Sequence, residues 1–277
     1  MIKLGKISFA NCDFPYYGLE YGKIPLKEVS ITEAYPPILA KKILNRELDI
    51  SPISSIMYAR LNNLLILPDI SITSNDFTKS VLICADSACK CELQDFEGKT
   101  LCIPETTASS AALIRIILKH KGINCKFIGC KASNISKMLE LGDAALLIGD
   151  DALYAARSDK YNVIADLGNE WKKMTGKKMV YALWVVREDY AKKYPDKVEY
   201  ILDSLLKSKD YGHTHFDEIA DFIGKKMQIE SVFIRDYLST LNYDFDEESI
   251  ESLMLFFKYA KEYGILSSSN EMRFFER

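Results

Sequence analysis

The 277-residue chain has no apolar run long enough to span a membrane, and Met1 to Lys6 leads straight into a strand-like segment without a signal-peptide core. A cytoplasmic protein with no membrane partner is expected. No basic block stands out either. The 36 Lys and Arg are mixed with 39 Asp and Glu, for a formal charge of -3, which excludes the electrostatic footprint of a nucleic-acid binder. Histidine is scarce, and the one close pair, His213-Thr214-His215, has no third ligand at sensible spacing, so it reads as a solvated loop between helices and not as a metal site. The seven cysteines are odd in number and scattered, which suits free thiols in a reducing compartment better than a disulfide framework. Cys89-Lys90-Cys91 lacks the spacing of a zinc knuckle. A Gly-rich phosphate loop, a Ser-His-Asp order and H-E-x-x-H are all missing, so no cofactor and no metal are expected.

What the chain does have is apolar mass and alternation. At 48% hydrophobic it can bury a large core, enough for one large domain or two lobes of ordinary size. The stretch from Gly98 to Gly122 organises the rest. Thr100-Leu101-Cys102-Ile103 reads as a strand stopped by Pro104, and Ala112, Leu113, Ile116 and Ile117 recur at helical spacing. Between them lie Thr106, Thr107, Ser109 and Ser110. Short hydroxyls beside the free N–H groups of a helix start make a pocket for a carboxylate or phosphate, although a lone Ser or Thr there serves equally as a cap.

Taken in order, Lys3 to Ala10 reads as the first strand. It ends at Asn11-Cys12-Asp13-Phe14-Pro15, so Asn11 is either a turn residue or a polar group at a strand's carboxyl end, where open α/β sheets bind ligands. Val29 to Thr32 is a second strand, and Pro36-Pro37 opens a helix. Leu48 to Ile53 runs into Ser54 and Ser55, which start a helix from Ile56 to Leu61 and so repeat the hydroxyl device. Leu64 to Leu67 is a short strand before Pro68, and Ser80 to Cys84 is another, after the turn Ser74-Asn75-Asp76. Cys125 to Ile128 is expected as a strand and Ser133 to Leu141 as a helix. Ala144 to Ile148 is the most buried-looking strand and ends in Gly149-Asp150-Asp151, two carboxylates that either orient ligand hydroxyls or cap the next helix. Met179 to Arg187 forms an aromatic-rich strand, and from Glu188 onward amphipathic helical stripes run nearly to the end.

The alternation predicts an α/β protein of two lobes, with crossings near Cys84 to Asp86 and Val185 to Glu188. Residues 1–85 plus 187–277 then form one lobe, 86–186 the other, and the ligand cleft lies between them.

Six segments resemble the menaquinone-biosynthesis proteins of the futalosine pathway, on the branch that dehydrates chorismate. They are ISFAN (7–11), LDISPISSIMYAR (48–60), KSVLI (79–83), PETTASSAALIRIIL (104–118), AALLIGDDAL (144–153) and DLGNEWKKMTGKKMVYALWVVR (166–187), in family order. The resemblance implies a type II periplasmic-binding-protein-like fold used as a cytoplasmic enzyme that converts chorismate to 3-[(1-carboxyvinyl)oxy]benzoate. It implies that Asn11 and Ser80 lie near the substrate, that Ser54, Ser55, Thr107, Ala108 and Ser109 hold its carboxylates, and that Asp150 sits at the cleft edge. Asp150 is the nearest protein candidate for the base, and the substrate's enolpyruvyl carboxylate is another. The related dihydroxynaphthoate synthase activity and a non-catalytic sensor of a small dicarboxylate are the alternatives, and both a monomer and a homodimer stay open.

Overall fold

The structure is a computed structural model that describes residues 1–131 and 134–277. The first lobe opens with β1 (Ile2–Ile7), α1 (Ala10–Glu20), β2 (Val29–Ala34), α2 (Pro36–Leu44), β3 (Ile50–Ser54), α3 (Ser55–Arg60) and β4 (Leu64–Ser74). The chain then leaves to build β5 (Val81–Asp86), β6 (Thr100–Pro104), α4 (Ser109–His120), β7 (Lys126–Cys130), α5 (Ile135–Leu139), β8 (Ala144–Ile148), α6 (Asp150–Ala156), β9 (Tyr161–Asp166) and α7 (Leu167–Thr175). It returns through β10 (Met179–Arg187) and ends in α8 (Glu188–Lys193), α9 (Pro195–Thr214), α10 (Phe216–Met227), α11 (Ser231–Leu238), β11 (Leu241–Asn242) and α12 (Glu247–Glu262). The start of the helix expected at Ser133 lies outside the described residues.

Two sheets result, a 6-stranded one in the order β11-β4-β10-β3-β1-β2 and a 5-stranded one in the order β7-β6-β8-β5-β9. β1 is parallel to β2 and β3, and β6 is parallel to β7 and β8. β5 and β10 run against both of their sheet neighbours. These are the first strands after each crossing. Both crossings come earlier than the sequence suggested, within 75–80 and 176–178: β5 belongs wholly to the second sheet and β10 wholly to the first. A continuous apolar strand says that it is buried, not in which sheet.

Asn11 to Pro15 do not form a turn but continue into α1, with Pro15 inside the helix. Proline has no N–H to give to the carbonyl four residues back. That carbonyl belongs to Asn11, and the Tyr243 hydroxyl donates to it at 2.8 Å instead. β4 likewise runs through Pro68, taking Asp69 at a φ of 64° where its register with β10 shifts.

The amphipathic tail packs back on the first lobe, as its stripes require: α9 lies on α1, and Val198, Ile201, Leu202 and Leu205 are fully buried. α12 touches β10, α3 and α4, so it spans both lobes. His213 is in the last turn of α9, edge-on to Phe14, and His215 is the single turn residue between α9 and α10, stacked on Tyr211; the pair thus sits at a helix junction against aromatic rings, and only His215 lies between helices. Cys89 and Cys91 are disulfide-bonded across one intervening residue, a correction to the all-thiol expectation, and the other five cysteines are free. A local turn brings that pair together, so no long-range framework is involved.

Candidate active site

The lobes are joined through the segment after β4, and one carboxylate organises it. Asp166, at the end of β9, accepts N–H bonds from Thr78 at 3.0 Å and Lys79 at 2.7 Å, and caps α7 through Gly168 at 2.9 Å and Asn169 at 3.3 Å. Gly168 must be small: a Cβ there would lie 2.3 Å from both the Asp76 carbonyl and the Thr78 hydroxyl. Tyr181, on the returning strand β10, hydrogen-bonds the Thr78 hydroxyl and so ties the two crossings together. Burial pushes its phenol well above the ordinary range, so it stays protonated at neutral pH.

Between the lobes lies a cavity of about 70 Å³. Asn11, Ser54 and Tyr181 face it from the first lobe, Thr78 and Ser80 from the crossing, and Thr106 to Ser110 with Gly149 from the second. No Asp, Glu, Lys, Arg or His lines it among the described residues. Its polarity comes from hydroxyls, one amide and the start of α4, which has no side-chain cap. An uncapped first turn leaves N–H groups and the positive end of the helix dipole for an anion.

Asn11 is the second residue of α1, and its Oδ1 is buried with no hydrogen-bond partner among the described residues. A buried acceptor left open normally costs about 1–3 kcal/mol, so this one is poised for a donor on a ligand. The Asn11 side chain also contacts the Tyr237 hydroxyl, which donates to Ser80 Oγ at 3.2 Å. Tyr237 comes from α11, in the tail. Its ring is buried, as are Ile234 and Leu238 on the same helix, and the local sequence carries no signal that sets it apart as a site residue.

Of the eight residues expected at the site, six line the cavity: Asn11, Ser54, Ser80, Thr107, Ala108 and Ser109. Ser109 brings no free hydroxyl to it. Ser55 Oγ donates to the Val180 carbonyl at 2.7 Å, so across their 3.0 Å contact it is the Ser109 hydroxyl that donates to Ser55. Ser109 Oγ in turn accepts the Ile56 N–H at 3.0 Å, and thus caps α3 from the other lobe. Ser55 is fully buried and lies outside the lining, where it makes a lobe-to-lobe contact.

Asp150 is also outside the lining. Gly149, at a φ of 58°, turns the chain so that Asp150 Oδ1 accepts the Ala10 N–H at 3.0 Å, capping α1 in the opposite lobe. Capping was one reading of this carboxylate, but its own helix was the expected beneficiary. Burial, with Asp13 and Asp151 adding like charge, outweighs that hydrogen bond and Lys226 and lifts the carboxyl to about 6. The cleft is therefore closed, held by the Ser55–Ser109 and Asp150–Ala10 contacts.

The menaquinone-biosynthesis family profile matches residues 2–262. Among solved structures, protein AF1704 from Archaeoglobus fulgidus superposes with a TM-score of 0.79 at 18% identity, over 96% of this chain and 98% of that one. The periplasmic aliphatic sulphonate binding protein SsuA from Escherichia coli gives 0.72 at 13% identity, over 99% and 97%. The Candida albicans CA3427 gene product, which has the generic periplasmic binding protein fold, gives 0.73 at 13%, over 98% and 92%. The architecture is thus a two-lobe α/β periplasmic-binding-protein-like fold.

Proposed function

The chain belongs to the menaquinone-biosynthesis family, and on that premise we propose that it is a chorismate dehydratase, a hydro-lyase that releases water and 3-[(1-carboxyvinyl)oxy]benzoate. The observation that supports this reading best is the open Asn11 Oδ1 in a closed cavity with hydroxyls and a bare helix start but no charged side chain.

Chorismate needs little persuasion to react. The hydrogen on the ether-bearing ring carbon is acidified through the conjugated ring carboxylate, and loss of that proton with the neighbouring hydroxyl makes the ring aromatic. Donors at Thr107 and the start of α4 would hold the ring carboxylate as charge moves onto it, where preorganised hydrogen bonds act most strongly. A dry enclosure strengthens them further. Asn11 Oδ1 would accept from the leaving hydroxyl, with Ser80 and Tyr237 fixing its direction.

With Asp150 outside the lining and engaged by the Ala10 N–H, and no carboxylate in the lining among the described residues, the base in this scheme is the substrate's enolpyruvyl carboxylate. It takes the ring proton and the C–H electron pair becomes the new ring double bond; as the neighbouring C–O bond breaks, the carboxyl group hands that same proton to the departing hydroxyl, which leaves as water and restores the carboxylate. No described helix is long and apolar enough to cross a membrane, and the cytoplasmic location forms part of the proposal.

Incubation of the purified protein with chorismate should give an aromatic product, followed by ultraviolet absorbance and confirmed by mass. Tight binding without turnover would instead make the protein a sensor of small dicarboxylates.

A further inference from the structure

Outside the inner cavity, and sharing Pro36, Ser54, Thr107 and Ala108 with it as a common wall, lies a second chamber of about 440 Å³. Three helices build it from residues at helical spacing: Pro37, Lys41 and Leu44 of α2; Met57 and Arg60 of α3; Ala111 and Arg115 of α4. Its charged lining is Lys41, Arg60 and Arg115 against a single carboxylate, Glu105. None of the three cations forms an ion pair among the described residues. Arg115 lies with its guanidinium 3.9 Å from the centre of the Phe127 ring, which fixes its plane while leaving its N–H edges unused by any carboxylate. Burial lowers its pKa, as expected of a desolvated cation without a counter-ion. A half-buried guanidinium held flat on an aromatic ring presents a fork that suits a carboxylate. The floor is apolar, from Leu44, Met57, Ala111 and Ile265, and suits a ring.

We propose that this outer chamber is a second binding site, for a cyclic or aromatic carboxylate held by Arg60 and Arg115, from which the ligand passes the Ser54–Thr107 wall when the lobes part. The site is distinct from the inner cavity in chemistry: charge and an apolar floor here, hydroxyls and no charge there. Its occupant under the proposed function is the incoming substrate or the departing product, and that identification alone rests on the dehydratase reading.

The test is calorimetric titration of the ligand-free protein with isophthalate, a benzene ring with two carboxylates, at low and high sodium chloride. The wild type and Asn11→Ala should bind alike, the Arg60→Gln/Arg115→Gln double variant should bind at least about tenfold more weakly, and salt should weaken the first two but barely affect the third. Equal binding by the double variant, loss of binding in Asn11→Ala, or no binding by the wild type would each overturn the outer site. Circular dichroism checks that the double variant is folded; should it not be, Arg60→Gln alone carries the same comparison, since Arg60 is exposed. Parallel titrations with chorismate and with its aromatic product tell substrate capture from product release. A protein that binds isophthalate through these arginines but leaves chorismate unchanged keeps the chamber and loses the dehydratase assignment; a dehydratase indifferent to them does the reverse.

Discussion

The Asp150 carboxylate makes lobe closure depend on pH, with a sign that the structure dictates. Closed, it faces Ala10, Asp13 and Lys226 of the first lobe and Asp151 beside it, and its pKa rises from 3.8 to about 6. Separating the lobes removes the first three and readmits water, returning the carboxyl toward its ordinary value. The closed form therefore holds the proton more tightly. Closure is most favoured below 3.8, weakens as pH rises through the window from 3.8 to about 6, and carries its full penalty above that. The size of the effect is on the order of 3 kcal/mol, at about 1.4 kcal/mol for each pH unit. Asp150→Asn keeps an oxygen for the Ala10 N–H and removes the charge, so it should be closed at neutral pH by up to that amount. Small-angle scattering of the ligand-free protein reads the outcome directly. The wild-type radius of gyration should increase between pH 5 and 7.5, and that of the variant should stay at the compact value. Asp166 is also raised by burial, but the Thr78, Lys79, Gly168 and Asn169 N–H groups around it form one local knot, so it gives no comparable lobe dependence. A wild type without the increase, or a variant that shows it in full, would refute the reasoning.

Four further substitutions follow from single contacts. Asn11→Ala should lower kcat with chorismate by about 10²–10³-fold while KM changes little, and an equal loss in binding would deny Asn11 a role in the chemical step. Tyr237→Phe removes the donor to Ser80; as a positioning change it should reduce kcat by about tenfold to a hundredfold at nearly unchanged KM, and a loss confined to thermal stability would make Tyr237 merely structural. Gly149→Ala puts a Cβ 2.5 Å from the Phe9 ring at a φ of 58°, so it should destabilise by about 1–3 kcal/mol, read as a Tm lower by about 2–4 °C for each kcal/mol. Tyr243→Phe strands the Asn11 carbonyl that Pro15 cannot serve and should cost about 1–3 kcal/mol in denaturant unfolding, whereas an unchanged midpoint would mean that water replaces the hydroxyl.

The sequence by itself determined what depends on neighbours along the chain. Apolar alternation located β6, β8 and β10, helical spacing placed α2, α4, α9 and α12, and the hydroxyls after β3 and β6 marked two helix starts that do meet at one cavity. Pro15 and Pro68 misled because a missing N–H ends an element only where no distant group repairs the loss, and Tyr243 does so for α1. Only the tertiary structure decided the rest. Which sheet β5 and β10 join depends on partners far along the chain, not on their composition. Whether a hydroxyl or carboxylate is free depends on what lies across the cleft: Ser55 and Ser109 satisfy each other, and Asp150 caps a helix start 140 residues away. Tyr237 reaches Ser80 from 157 residues off. A polar group's identity can be read locally, but its availability cannot, because the hydrogen bond that engages it is made only when the chain closes on itself.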